Sequence, residues 1–323
     1  MKLNSKFFLI AVSAMLWMAC KEEKKISDEV ARIPINLNLG RFDREFATAN
    51  AEDIPQLKNK YPYLFPKQYT DSIWVAKLQD TLQMEIAHEV DSVFGDFTEE
   101  REDLELLFKH IKYYYPQYSI PKLVTLTNDV EYDYRVVLTD SLLLVALDNY
   151  LGSDHHFYAG IQNYIAQDLD KKYLAADVAS AFAKIVNQYP KDRSFLARMI
   201  YYGKELYIKN LLLPNKEIDI IMGYSPEDMD WALANEEQIW RYYVEESLLY
   251  STDPKLENRF LDPAPFSKFG LELDRESPSR LGRFIGWQIV NTFVEQNPSL
   301  GLSELLAMPA DEIFRKSNYK PKK

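Results

Sequence analysis

The sequence predicts an α+β fold, mostly helical, with a small central antiparallel or mixed sheet packed by helices. Three observations carry this. Apolar residues recur at helical spacing through most of the chain, while period-2 or continuous apolar runs are confined to a few short segments. Glycine is scarce, 10 in 323 residues, which argues against a β-rich or low-complexity architecture.

Ile33–Leu39 alternates as Ile-Pro-Ile-Asn-Leu-Asn-Leu and reads as a strand, with Pro34 confining it to an edge or a strand start. Ser72–Phe94 carries Trp74, Leu78, Leu82, Ile86, Val90 and Val93 at near-helical spacing, and Thr98–Tyr115 carries Leu104, Leu107, Phe108 and Ile111 before Pro116 stops it. The short apolar runs Lys122–Thr127, Tyr134–Leu138 and Leu142–Leu147 form the β segment. Asn128-Asp129 and Thr139-Asp140-Ser141 fit tight connections between antiparallel strands, and the wholly apolar Leu142–Leu147 is expected to be fully buried.

From Gly152 onward only helices are expected. Lys172–Gln188 ends at Tyr189-Pro190, and Ser194–Leu213 has Ser194 as N-cap and Pro214 as terminator. Ser225-Pro226-Glu227-Asp228 puts a cap, a proline at the first helical position and two acids at a helix start; that helix should run to about Tyr250. A last long helix, Ser277–Gln296, begins with the same Ser-Pro pairing. With no repeat and no Ser/Gly linker, the chain divides into a leader (1–19), a polar tether (20–32) and one α+β domain (33–323).

The leader follows from charge and length. Lys2 and Lys6 precede the apolar run Phe7–Ala19, and Lys21-Glu22-Glu23-Lys24-Lys25 follows the single cysteine, Cys20. Positive start, apolar middle and small residue at the break make a secretory signal. The run spans only about 20 Å as helix, against the roughly 30 Å of a bilayer core. Ordinary cleavage after Ala19 would set bulky Trp17 where a small residue is wanted. Leu16-Trp17-Met18-Ala19-Cys20 instead resembles a bacterial lipobox, with Leu16 one position further from the cysteine than usual. Lipidation of Cys20 is therefore expected, an unmodified cysteine after a plain leader being the alternative. The anchor makes the membrane a partner.

Formal charge is −11, from 49 acidic and 38 basic residues. The only basic concentration is the short tail Lys316 to Lys323, so nucleic acid is excluded as a partner. One cysteine excludes intrachain disulfides and cysteine zinc knuckles; a core built from 47 % hydrophobic residues makes them unnecessary.

No catalytic residues, metal site or cofactor are predicted. Of the four histidines, His88, His110, His155 and His156, none completes a His-Glu-x-x-His helix: His88-Glu89 begins one, but Ser92 stands where the second histidine belongs. Nucleophile elbows, phosphate loops and dinucleotide fingerprints are absent. The acid pairs Glu236-Glu237 and Glu245-Glu246 read as solvated helix faces rather than a glycosidase pair.

The distinctive segment is Asp274–Val290. Gly282 and Gly286, four apart, share one helical face and leave room for a close backbone or ligand, at about 1 kcal/mol each against alanine. Arg280, Arg283 and Trp287 lie at i, i+3 and i+7 and form another stripe. Two readings stand: a tightly packed helix whose arginines pair local acids, or a face for a partner or ligand.

Tyr113-Tyr-Tyr-Pro116, Leu151-Gly-Ser-Asp-His-His156, Arg198-Met-Ile-Tyr-Tyr-Gly-Lys204, Leu211-Leu-Leu-Pro214 and Ser277-Pro-Ser-Arg-Leu-Gly-Arg-Phe-Ile-Gly-Trp287, with the lipoprotein start, together resemble the GldB gliding-motility lipoproteins over essentially the whole chain. The resemblance implies a non-catalytic envelope lipoprotein needed for gliding and for assembly of the motility and secretion machinery, whose other proteins would be its partners. It also implies the outer membrane, at its surface or its periplasmic side; acids just after the cysteine resemble a surface-export signal. That family in turn is similar to predicted zinc peptidases, implying a zincin-like scaffold. Here the expected motif helix, within Leu174–Val186, has neither histidine nor glutamate, and Tyr202-Gly203 replaces a Glu-Gly pair. The alternatives are a peptidase-like enzyme and a ligand-binding lipoprotein for cell-wall peptides or glycans.

Overall fold

The computed structural model describes residues 27–322. The leader, Cys20 and most of the tether lie outside them. The architecture is α+β and mostly helical, with a four-stranded mixed sheet packed by helices. The strands are β1 (Leu39–Arg41), β2 (Lys122–Leu126), β3 (Val136–Leu138) and β4 (Leu142–Ala146), in the order β1-β2-β4-β3. β1 and β2 are parallel, as are β2 and β4; β3 runs antiparallel to β4 with Val137 opposite Leu144.

The β segment departs from expectation in three ways. Ile33–Asn38 joins no strand ladder, and pairing starts only at Leu39, opposite Leu123. Asn128-Asp129 does not turn between paired strands, because β4 lies between β2 and β3; only Thr139–Ser141 makes a hairpin. β4 is not buried throughout, since Leu142 and Leu144 are partly accessible while Leu143, Val145 and Ala146 are buried.

The five longest helices are α1 (Thr81–Phe94), α2 (Thr98–Tyr114), α3 (Leu174–Val186), α4 (Phe195–Leu212) and α5 (Leu281–Gln296). The predicted Ser72–Phe94 helix is two, Asp71–Leu78 and α1, parted where the Asp80 carboxylate accepts from Leu82 and Gln83 N–H groups and starts a new helix. Pro226–Ala234 likewise stops at Asn235, whose side-chain amide donates to the Trp231 carbonyl, and Glu236–Glu245 resumes. The Ser194 cap is as expected, its hydroxyl accepting from Ala197 N–H. Ser277 caps nothing: its hydroxyl donates to the Asp274 and Ser267 carbonyls, and α5 begins four residues later behind Arg280, which adopts a left-handed backbone (φ 62°).

One apolar cluster runs from Leu37 to Tyr319, with α4 through its middle. A smaller one gathers Leu57, Tyr61, Phe65 and Val124 on the other side of the sheet's first strands. Near the C-terminus the buried Glu236 carboxylate accepts from Gln288 Nε2 (2.8 Å), Tyr319 Oη (2.8 Å) and the Lys322 N–H (3.3 Å). It is therefore no part of a solvated face, and three hydrogen bonds satisfy its oxygens at depth. Among the described residues no helix is long and apolar enough to cross a membrane.

Candidate functional site

α4 and α5 cross with their backbones in contact. A Cβ on Gly286 would overlap the Met199 carbonyl oxygen, and one on Gly203 would overlap the Gly286 carbonyl. Gly282 is nearly as tight, 2.9 Å from the Phe260 carbonyl oxygen and 2.8 Å from Leu261 Cδ2. Both glycines of the α5 segment therefore serve internal approach.

The two arginines lie elsewhere. Beyond the crossing the elements part around a cavity of about 800 Å³, to which Arg280 and Arg283 contribute and Trp287 does not. Helical periodicity builds two of its walls. On α3 and the turn before it, Tyr173, Ala176, Asp177, Ser180, Ala181 and Lys184 recur every three or four residues; on α4, Tyr202, Glu205, Leu206 and Lys209 do the same. β3, Asp168 and the segment 220–224 close the rest. Trp287 is instead packed against the core, its indole N–H without a protein partner. The five predicted residues thus divide into two cavity arginines, two packing glycines and one core tryptophan.

The charges in the cavity are of both signs. Arg135 gives Nε (2.7 Å) and Nη2 (3.1 Å) to the two oxygens of Asp177, which also accepts from Tyr150 Oη (2.9 Å). Burial works against the Arg135 charge, but the Asp177 carboxylate beside it raises the guanidinium pKa above its ordinary value. This pair is internally satisfied. The rest is not. Arg280 gives Nη2 to the Gly223 carbonyl, sits 3.8 Å from Asp168, and has a buried Nε with no partner. Arg283 gives Nε to the Leu261 carbonyl and lays its guanidinium 3.9 Å from the centre of the Tyr202 ring. Lys209 is 7 % exposed, and burial depresses its pKa to about 8. Glu205 is 6 % exposed with Oε2 unpartnered, and Asp168 Oδ1 is unpartnered too. Burial raises the Asp168 pKa above the usual carboxylate range.

No histidine lines this cavity. His110 is buried, with Nδ1 3.0 Å from the Leu106 carbonyl; His155 and His156 face Glu89 and Glu85, and His88 is exposed. Among the described residues no three of His, Cys, Asp and Glu are placed to share a metal ion.

The family model of the gliding motility protein GldB matches residues 23–321. The chain belongs to the GldB family. Membership assigns it to gliding motility, and the family's lipoprotein designation associates it with the cell envelope. No curated protein and no solved structure matches the chain. Within this GldB chain, sequence reasoning found Arg280 and Arg283 but missed Asp168, Asp177, Glu205 and Lys209. The available signal was the polar stripe Tyr202, Glu205, Lys209 on a helix that is otherwise buried on nearly every side.

Proposed function

We propose that this chain serves gliding as a non-catalytic, lipid-anchored envelope protein, held by acyl chains on Cys20 at the outer membrane, and that its cavity holds a ligand or partner group rather than transforming one. The observation that carries the non-catalytic reading is the setting of the cavity acids. Asp177 has both oxygens committed to Arg135 and Tyr150, and Asp168 and Glu205 share the space with Lys209, Arg280 and Arg283. Three cationic side chains oppose entry of a divalent cation, and no imidazole is at hand as a general base. The two helices that the resemblance to zinc peptidases singled out, α3 and α4, both wall this cavity. That placement supports a scaffold of that kind whose metal ligands are replaced by Asp177, Tyr202 and their arginine partners. The other motility and secretion proteins are its proposed partners.

Anchoring and chemistry are tested together. The purified protein is expected to hold well under one equivalent of zinc and to lack chelator-sensitive peptidase activity; stoichiometric zinc surviving dialysis overturns the non-catalytic reading. Cys20→Ala is expected to abolish acyl labelling and gliding, and unchanged labelling in that variant overturns the anchor. Fractionation with inner-membrane markers would overturn the outer-membrane placement.

A further inference from the structure

We propose that the cavity is a binding site for a zwitterion, a small ligand carrying both a carboxylate and an ammonium group, such as a short peptide with free ends. The inference rests on the reading of the cavity as a holding site and names the chemistry held.

The argument is one of unpaired charge. Once the Arg135–Asp177 pair is set aside, the lining keeps three cations, Lys209, Arg280 and Arg283, interleaved with two acids: Asp168 lies 3.8 Å from Arg280, and Glu205 stands one helical turn from Lys209 on α4. A buried ion without a full complement of hydrogen bonds is costly, and proteins retain one where something else completes it. Here both signs are incomplete. Arg280 Nε, Glu205 Oε2 and Asp168 Oδ1 have no partner, and Lys209 has the charges of Glu205, Asp177 and Asp168 near it against the cost of its burial.

Each simpler ligand class leaves part of this unmet. An inorganic anion would satisfy the cations but face two carboxylates. A cation would meet three positive groups. A neutral sugar would bring only uncharged groups to these unpartnered atoms. A ligand that brings a carboxylate to Arg280 Nε and an ammonium to Glu205 Oε2 or Asp168 Oδ1 supplies charge-assisted hydrogen bonds to unpartnered atoms of both signs. The volume, about 800 Å³, falls within the roughly 300–1,000 Å³ of small-molecule sites.

Two further features fit a built site. Arg280 is held in a left-handed backbone conformation that a non-glycine residue seldom adopts, and it stands at the N-terminal end of α5 with its guanidinium 5.4 Å from the Tyr224 ring. Arg283 is stacked on Tyr202 and tied to Leu261. Both guanidiniums are oriented before any ligand arrives, which lowers the ordering cost of binding.

The test uses the full lipoprotein in detergent, with titration calorimetry. Four probes separate the sources of affinity: trialanine, N-acetyl-trialanine, trialanine amide and inorganic phosphate. Trialanine is expected to bind, and each singly blocked peptide to bind at least about tenfold more weakly, as loss of one charge-assisted contact implies. Glu205→Gln is expected to erase the preference for the free amine and Arg280→Gln that for the free carboxylate, with melting temperatures checked in both. If Arg280→Gln fails to fold, Arg283→Gln takes its place. Phosphate or N-acetyl-trialanine binding as tightly as trialanine overturns the zwitterion and leaves a site for anions, with the holding role intact. No binding of any probe up to about 10 mM overturns the inference. If Glu205→Gln and Lys209→Met cells also glide normally, the holding role falls with it.

Discussion

Two lysines on one helix show how differently the two faces of α4 are used. Lys204 and Lys209 are both buried, and burial pushes both down to about 8. Lys204 gives its ammonium to the Leu306 (3.0 Å) and Met308 (2.8 Å) carbonyls, closing the end of a short helix in the C-terminal part of the chain. Lys209 gives its ammonium to nothing among the described residues. Beside Lys204 the packing is tight enough for backbones to touch at Gly203 and Gly286; beside Lys209 the elements part around the cavity and its charged side chains. One face is finished by the fold, and the other is left open at a cost in stability, which is how a site kept for binding differs from a core.

Gly286→Leu strikes the finished face hardest. The added side chain meets the Met199 carbonyl, which belongs to helix backbone and cannot rotate away. A loss of at least about 3 kcal/mol, at the upper end of the usual overpacking range, should appear as a fall in the urea midpoint. A near-native midpoint would show that the crossing is looser than described and erase the contrast.

The lysines give the next largest effect, and one of opposite sense. A lysine lowered from 10.5 to about 8 is protonated in both states below pH 8, so the folded protein bears the full cost of the buried charge there. Between pH 8 and 10.5 the unfolded chain binds more protons, and stability rises with pH. Lys209→Met removes that cost and should stabilise at pH 7 by on the order of 2–3 kcal/mol, the gain shrinking as pH rises through that window. Lys204→Met removes the same cost but strands two buried carbonyls, so it should be worse than Lys209→Met by about 2–4 kcal/mol. Urea denaturation of both variants across pH 7–10.5 decides it; equal effects would mean that Lys209 is satisfied after all.

Arg280→Gly carries the smallest expected change in stability. Glycine suits φ 62° and recovers about 1 kcal/mol of backbone strain, offset by the lost hydrogen bond to Gly223. A net change under about 1 kcal/mol together with lost ligand binding would place the strain at the site. A strongly destabilised variant would make Arg280 a structural residue.

Most of the helices were legible from periodicity and caps, because both signals are local: Ser194, Pro214 and the Thr98–Tyr115 stripe needed no knowledge of the rest of the fold. Failures came where distant groups decide. β1 is short because its partner strand begins at Lys122, opposite the end of the extended run. Glu236 looked solvated because nothing in its own segment announces Gln288 and Tyr319. The α5 start was misplaced because Ser277 spends its hydroxyl on Ser267 and Asp274. The cavity was half legible: the arginines stood out beside two glycines, but Asp168, Asp177, Glu205 and Lys209 come from three other segments. A stripe tells which residues share a face, not what that face meets.

The Glu236 clamp also bears on how the chain can be handled. The segment 319–322 is tied into the core, since Tyr319 and Lys322 supply two of the three donors to a carboxylate with almost no solvent of its own. Trimming the chain after Asn318 to make room for a label would strip that carboxylate of two of its three donors inside the core. Cargo or probes are best attached at surface loops, never in place of the segment 319–322.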